Sequence, residues 1–335
     1  MSLKIRPAQL KDLGAIEALF REQDREAAGR SASFRQLASR RLWFLLNHTF
    51  ASVLPLASPA DHVFVGEEGR RSGIQGFVQA ETAPGGRAWQ ILNLSLAPDL
   101  DRFAAGTALL DHLCNEGLAR GVTRFIVRVG VGDPVADLFR ARGFRAVGVE
   151  QALLAESVSR RQAPEVPGWR AMRKSDQLSL YLLYRAVTPK EVVEVLASSF
   201  KEWRDTFQLG WWTGAVPRPV RRRQFVVDRV EVIGWLGITP GGGGRPLILG
   251  LMARPEPRDL LAAIVQQGLA YVAERHPGPV WCSLRQNDQE AIALLQREGF
   301  EVIASQLLMF KELALKVPAR RRVPLGEKRL VPQYG

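Results

Sequence analysis

The chain has 335 residues, 46% of them hydrophobic, and a formal charge of +12 from 46 lysines and arginines against 34 aspartates and glutamates. That length supports more than one compact unit, and no apolar run approaches the length of a membrane span. The two cysteines and four histidines fall in no ligand spacing, which predicts buried structural thiols and no metal site. The positive balance favours anionic partners.

In chain order, "IRPAQLKDLGAIEALF", Ile5 to Phe20, reads as a short strand, a polar turn and an amphipathic helix, with Asp12 placed to cap the helix N–H groups. This N-terminal stretch carries charges every few residues and lacks the apolar core of a secretory signal, so a soluble cytoplasmic protein is expected. Next, "GFVQAETAPGGRAWQILNLSLAP", Gly76 to Pro98, reads as strand, Gly-Gly-Arg hairpin turn and strand. An amphipathic helix follows over about Ala105 to Arg120, then a β-rich run, "RFIVRVGV". The helix "VADLFRARGF" comes next; its glycine supplies a left-handed cap and Phe144 starts the last strand.

The same series then returns. "WRAMRKSDQLSLYLLY", Trp169 to Tyr184, aligns without gaps on Ile5 to Phe20, with Arg170 on Arg6 and Asp176 on Asp12. "GWLGITPGGGGRPLILGLMARPE" repeats the hairpin, a helix over about Arg258 to Glu274 repeats the long helix, and "PVWCSL" and "AIALLQREGF" repeat the closing elements. Between the copies lies "ESVSRRQAPEVPG", Glu156 to Gly168, a polar, proline-bearing linker. The chain therefore reads as a duplication in α/β style, a mixed sheet with helices on its faces in each half: 1–155, linker 156–168, 169–315, and a basic tail 316–335.

In the middle of the first half, "LAPDLDRFAAGTALL", Leu96 to Leu110, ends a strand and opens a helix, with Pro98, Ala104 and Gly106 in its loop. This element order, with glycine-phenylalanine after the last helix, resembles the GNAT-type N-acetyltransferases over nearly all of both halves. The resemblance implies two tandem acyl-CoA N-acyltransferase domains and a Gln/Arg-x-x-Gly-x-Gly/Ala loop whose N–H groups bind the pyrophosphate of acetyl-CoA. A helix N-terminus suits that task physically. Carried over, Asp101 stands at the Gln/Arg position, Ala104 at the first glycine and Gly106 at the second. Cofactor-binding positions implied in this way are Leu96, Ala97, Arg102, Phe103, Ala104, Ala105, Gly106 and Thr107, with Asp133 and Phe139 further on. Asp101 places a negative charge beside a polyanion, which opposes binding.

The second half offers Pro255, Arg258, Leu261 and Ala263 at the matching positions, and the leucine side chain would project where phosphate needs bare backbone, so this copy reads as the degenerate one. Where the family tends to hold a tyrosine acid, the chain has Phe139 and Leu295, and where it often holds a glutamate base it has Leu92 and Asn93, then Leu249 and Gly250. No general acid or base is visible, Asn93 being the one weak catalytic candidate. Direct attack of a neutral amine on a thioester needs positioning and N–H donors above all.

Two main readings stay open. One is an acyl-CoA-dependent N-acyltransferase, transferring acetyl from acetyl-CoA to a small-molecule or peptide amine, with its site in the first half. The other is a decayed tandem scaffold that binds a ligand or partner. A weaker third uses Arg221, Arg222, Arg223 and the basic tail to contact nucleic acid. Trp203, Phe207, Trp211 and Trp212 read as core or as lining of an acceptor pocket, core being the commoner fate. Acceptor, acyl length and oligomeric state are not legible.

Overall fold

Both halves of the computed structural model begin with the same ionic knot. It describes residues 3–26, 61–68, 73–83, 85–209, 222–240, 246–276 and 278–313. The basic tail, Arg221, Trp211, Trp212 and the second Gly-Gly-Arg turn lie outside them. Strand β1 (Leu3–Pro7) leads through a 3-10 turn into α1 (Leu13–Glu26). Arg6 grips both carboxylate oxygens of Asp12, at 2.6 and 3.0 Å, and also reaches Glu67 on β2 (Asp61–Glu68). In the second half β7 (Trp169–Ala171) leads into α4 (Gln177–Val187), and Arg170 grips Asp176 at 2.7 and 2.8 Å and Asp228 at 2.6 Å. Neither aspartate side chain bonds the N–H groups of α1 or α4 themselves; each closes a capping box on the 3-10 turn before the helix. Each carboxylate turns back to a backbone N–H three residues earlier, Gln9 or Arg173, at 2.7 Å, because the arginine waits on that side.

The first half continues with β3 (Ile74–Thr82), β4 (Ala88–Leu96), α2 (Arg102–Ala119), β5 (Arg124–Gly130), α3 (Val135–Ala141) and β6 (Arg145–Ala155). After α4 the second half adds α5 (Lys190–Leu196), α6 (Phe200–Leu209), β8 (Arg223–Asp228), β9 (Val232–Thr239), β10 (Leu247–Ala253), α7 (Leu260–Arg275), β11 (Val280–Arg285), α8 (Gln289–Arg297) and β12 (Glu301–Glu312). Gly143 and Gly299, with φ of 81° and 88°, end α3 and α8 in the left-handed conformation. The phenylalanine after each is a core plug, and the strand begins one residue later.

The repeat predicts one sheet per half, whereas the strands among the described residues form a single twelve-stranded sheet ordered β1-β2-β3-β4-β5-β12-β6-β11-β10-β9-β8-β7. The two last strands are exchanged. β12 enters the first half between β5 and β6, and β6 pairs with β11 of the second half.

Alternation then divides the side chains between two faces. Phe125 and Val127 pack with α2 and α3, while Ile126 between them packs with Val192, Val195 and Leu196 of α5 and with Leu308 and Phe310 of β12. A second-half helix thus covers first-half strands, and Arg124 bridges to Glu202 at 2.5 Å. The 156–168 segment has neither helix nor strand and is tied to the second half through Arg161, which meets Gln266 at 3.2 Å and also Glu298.

Two consequences can be measured. The Asp12 carboxyl is held below its ordinary pKa, chiefly by its hydrogen bonds from Arg6. A lowered folded pKa gives stability that is complete above the unfolded value, about 3.9, and is lost as pH falls through the folded one. Asp12→Asn should cost about 2 kcal/mol in urea unfolding at pH 7, with a shallower loss between pH 5 and pH 2 than the parent shows. Residues 1–155 produced alone would expose a β5 edge and strip Ile126 of its cover. That fragment should self-associate on size exclusion, and a soluble monomer would contradict the exchange.

Candidate active site

The site begins where two neighbouring strands part. β4 pairs in parallel with β5 only over Ala88–Ile91 against Arg124–Val127, and from Asn93 onward it pairs with β3 alone. The parting coincides with a bulge. Gln79 stands opposite Asn93 and Ala80 opposite Ile91, so Leu92 is the extra residue. The Asn93 amide donates to the Gln79 carbonyl oxygen at 2.7 Å and clamps that bulge, leaving the buried Gln79 Nε2 without a partner. Asn93 is therefore a structural residue of the gap, and its amide has no basic lone pair to take a proton.

Leu96 ends the strand that borders the gap and Ala97 follows it. The Ala97 N–H is spent on the Gln75 carbonyl at 2.8 Å, so Ala97 is no oxyanion donor. Antiparallel pairing alternates donors between the two edges, which turns the Leu96 N–H toward the gap.

At the far side stands the N-terminus of α2. Arg102, Phe103 and Ala104 are exposed on its first turn, Phe103 at 55%, while Ala105 and Gly106 are buried and Thr107 is half-buried, its hydroxyl without a partner. A Cβ at Gly106 would meet Leu138 Cδ1 at 2.5 Å, so the glycine also gives α2 close contact with the Leu138 side chain of α3. The N–H groups of Phe103 and Ala104 already have an acceptor, Asp101 Oδ1 at 3.0 and 3.1 Å. Asp101 is the N-cap of α2 and occupies the donors that the resemblance assigns to pyrophosphate.

Asp133 and Phe139 are also structural. Asp133 accepts the Val135 N–H at 2.9 Å at the start of α3. Phe139 is buried edge-on against Phe144, 5.0 Å away, in the first-half core. Trp203 and Phe207 likewise stack at 4.5 Å inside a second-half core. Both cysteines are buried, and burial pushes the Cys114 thiol up to about 11 and that of Cys282 up to about 12. Among the described residues no cluster of three His, Cys, Asp or Glu side chains could hold a metal ion, and no helix is long and apolar enough to cross a membrane.

Sequence reasoning missed the charged group next to the gap. Arg128, one residue beyond the last β4–β5 pair, donates from Nε to Glu150 at 2.7 Å and from Nη1 to Gln90 at 3.4 Å. Burial works to raise the Glu150 pKa, but the charge and hydrogen bond of Arg128, with the charge of Arg285, hold it below the ordinary value. A signal existed: an arginine inside the apolar run "FIVRVGV" of a central strand must find a buried counter-charge.

In the second half β10 pairs with β11 only over Leu247–Leu249 and then parts from it, so a gap opens there too, but β10 carries no bulge against β9. Asp259 caps α7 with no side-chain bond, and Leu261 turns onto the second-half core instead of the loop face.

The gap, its bulge and the adjoining helix N-terminus can be set beside known proteins. The family model described as "Acetyltransferase (GNAT) family" matches residues 16–144. Among solved structures, a tandem GNAT protein from the clavulanic acid biosynthesis pathway aligns at TM-score 0.53 and 16% identity, over 93% of this chain and 98% of that one. A GCN5-related N-acetyltransferase from Sphaerobacter thermophilus aligns at 0.57 and 15%, over 92% and 95%. The glucosamine N-acetyltransferase region of a fungal multi-domain GH3 beta-N-acetylglucosaminidase aligns at 0.59 and 14%, over 92% of this chain and 38% of that one. A search of curated proteins returns no match. The first half thus matches the GNAT acetyltransferase family model over residues 16–144, and over 93% of its length the chain shares the fold of a tandem GNAT protein.

Proposed function

We propose that the chain is an acyl-CoA-dependent N-acyltransferase, transferring acetyl from acetyl-CoA to an amine, with its site in the first-half gap. The observation that carries this reading is the parting of β4 from β5 at the Leu92 bulge, beside the first turn of α2. The residues fit the cofactor in shape: small, exposed Ala104 leaves the turn open, and Leu96 aims an N–H into the gap. The fit in charge needs Asp101 to release the N–H groups of Phe103 and Ala104. When bound, the cofactor supplies an acyl group already activated as a thioester.

The chain's own part in such a reaction is positioning and a backbone donor. Glu150 is a poor base, since Arg128 bonds both its oxygens and keeps it ionised below the usual range. Phe139 has no proton to give, so the departing thiolate would take its proton from solvent. A cytoplasmic location and an amine acceptor, small molecule or peptide, belong to the same proposal.

The Asp101 cap favours a second reading, a tandem scaffold whose cradle has closed on itself and which serves to bind a ligand or partner. Calorimetric titration with acetyl-CoA separates the two. On the first reading the parent binds one per chain, and Asp101→Asn, which keeps a good N-cap while removing the charge, binds at least threefold more tightly. Ala104→Glu sets a carboxylate on the exposed first turn and should weaken binding more than tenfold. No binding to the parent or to Asp101→Asn at millimolar acetyl-CoA would favour the scaffold.

A further inference from the structure

The exchange of β6 and β12 leaves a cleft of about 440 Å³ at the junction of the halves. Its size lies within the roughly 300–1,000 Å³ typical of small-molecule sites. The floor is β6 and β12, with Val147, Gly148 and Leu308; Val192 of α5 forms an apolar wall; Arg285 and the amides after β11 close the opposite end.

Three features distinguish this cleft from a packing defect. First, Arg285 brings a charge that the protein leaves under-bonded. It stands opposite Glu150 in the β6–β11 register, but Arg128 bonds both Glu150 oxygens. The Arg285 Nε is buried with no hydrogen-bond partner, and the Asp288 carboxylate lies 3.8 Å from Nη1, too far for a hydrogen bond. A buried guanidinium donor without an acceptor is costly and is rarely kept without use. Second, the lining is divided: Val147, Val192 and Leu308 supply hydrocarbon, while the Arg128-bound Glu150 and the amides of Gln286, Asn287 and Gln289 supply polar groups. Third, Gly148 sits in the middle of β6 beside the bulge at Val147 in its ladder with β12, and a Cβ there would meet only Val192, at 3.9 Å. A side chain would fit at that position without strain, and its omission keeps the floor open.

We infer that this junction cleft binds a small carboxylate with an apolar body, its carboxylate on Arg285 and its hydrocarbon over Gly148 against Val192 and Leu308. Planar guanidinium and carboxylate match well, and the part of the Arg285 side chain that stays exposed, 22%, is where a ligand carboxylate can meet its charge. The cleft is built from strands of both halves, so the ligand would bridge them. The inference does not depend on acyl transfer in the first-half gap.

The test titrates the full-length protein with phenylacetate and isovalerate, and with phenylacetamide, the neutral isostere of the former. Saturable binding of at least one carboxylate at one per chain is expected, with phenylacetamide at least tenfold weaker than phenylacetate. Arg285→Gln should lose the preference for acid over amide. Gly148→Val fills the cleft away from the charges and should abolish binding while melting temperature and acetyl-CoA titration stay as in the parent. Equal binding of acid and amide, undiminished binding to a folded Gly148→Val, or no saturation by either carboxylate at 10 mM would overturn the assignment. Because acetyl-CoA is titrated separately, failure of the cleft and failure of the acyltransferase reading give different patterns.

Discussion

A strand in the interior of a sheet must pair on both edges, and β12 does so only by leaving its own half. It takes seven register pairs from β5 and nine from β6, the longest ladder in the molecule. β6 in turn lies between β12 and β11, so the centre of the sheet belongs to neither half alone. The gap in the first half depends on this arrangement. β5 can stand apart from β4 beyond Val127 because its other edge is held along its whole length by β12. A β5 with a free edge would have every reason to close on β4.

The same seam explains where the buried charges lie. Arg128 on β5 reaches across β12 to Glu150 on β6, and Arg285 on β11 faces Glu150 from the opposite side. The ion pair therefore spans the exchanged strands, and its geometry exists only when both are inserted. Breaking one member of such a pair leaves an uncompensated charge in the interior, a cost of about 3–5 kcal/mol. Hydrophobic burial between α5 and the first-half strands supplies attraction without direction. The Arg128–Glu150 and Arg124–Glu202 pairs add the requirement for one register.

Much of the fold was legible because local chemistry repeats. Arg6 with Asp12 and Arg170 with Asp176 mark the two starts, and glycine-phenylalanine marks the two ends; each is a short-range arrangement that a sequence displays directly. The exchange was not legible, since β6 and β12 are interchangeable as patterns and strand order is set by distant pairing. Within the site the spacing of Pro98, Ala104 and Gly106 located the strand-to-helix turn, but not what each residue does there. Gly106 serves the packing of α2 on Leu138, and Asn93 serves the bulge. The role of Asp101 was readable in principle: an aspartate three residues before Ala104 is an N-cap pattern. Weighing it only as a charge beside phosphate hid the fact that it also consumes the donors.

That double role bears on how the halves diverged. An aspartate at the N-cap stabilises α2 by satisfying two otherwise orphaned N–H groups and by favourable interaction with the helix dipole. An anionic ligand competes for the same two donors and meets the same carboxylate, so stability of the unliganded helix and affinity for phosphate oppose each other at one residue. In the second half no side chain caps α7, and Leu261 is turned onto the core beneath it. There the first turn is fixed by apolar burial with no side-chain cap, and the neighbouring ladder of β10 with β9 runs without a bulge. Each half retains one part of the arrangement, the gap with its bulge in the first and the uncapped turn in the second. The seam of exchanged strands joins both within a single sheet, so the two parts are held in one ladder of strands without sharing a site.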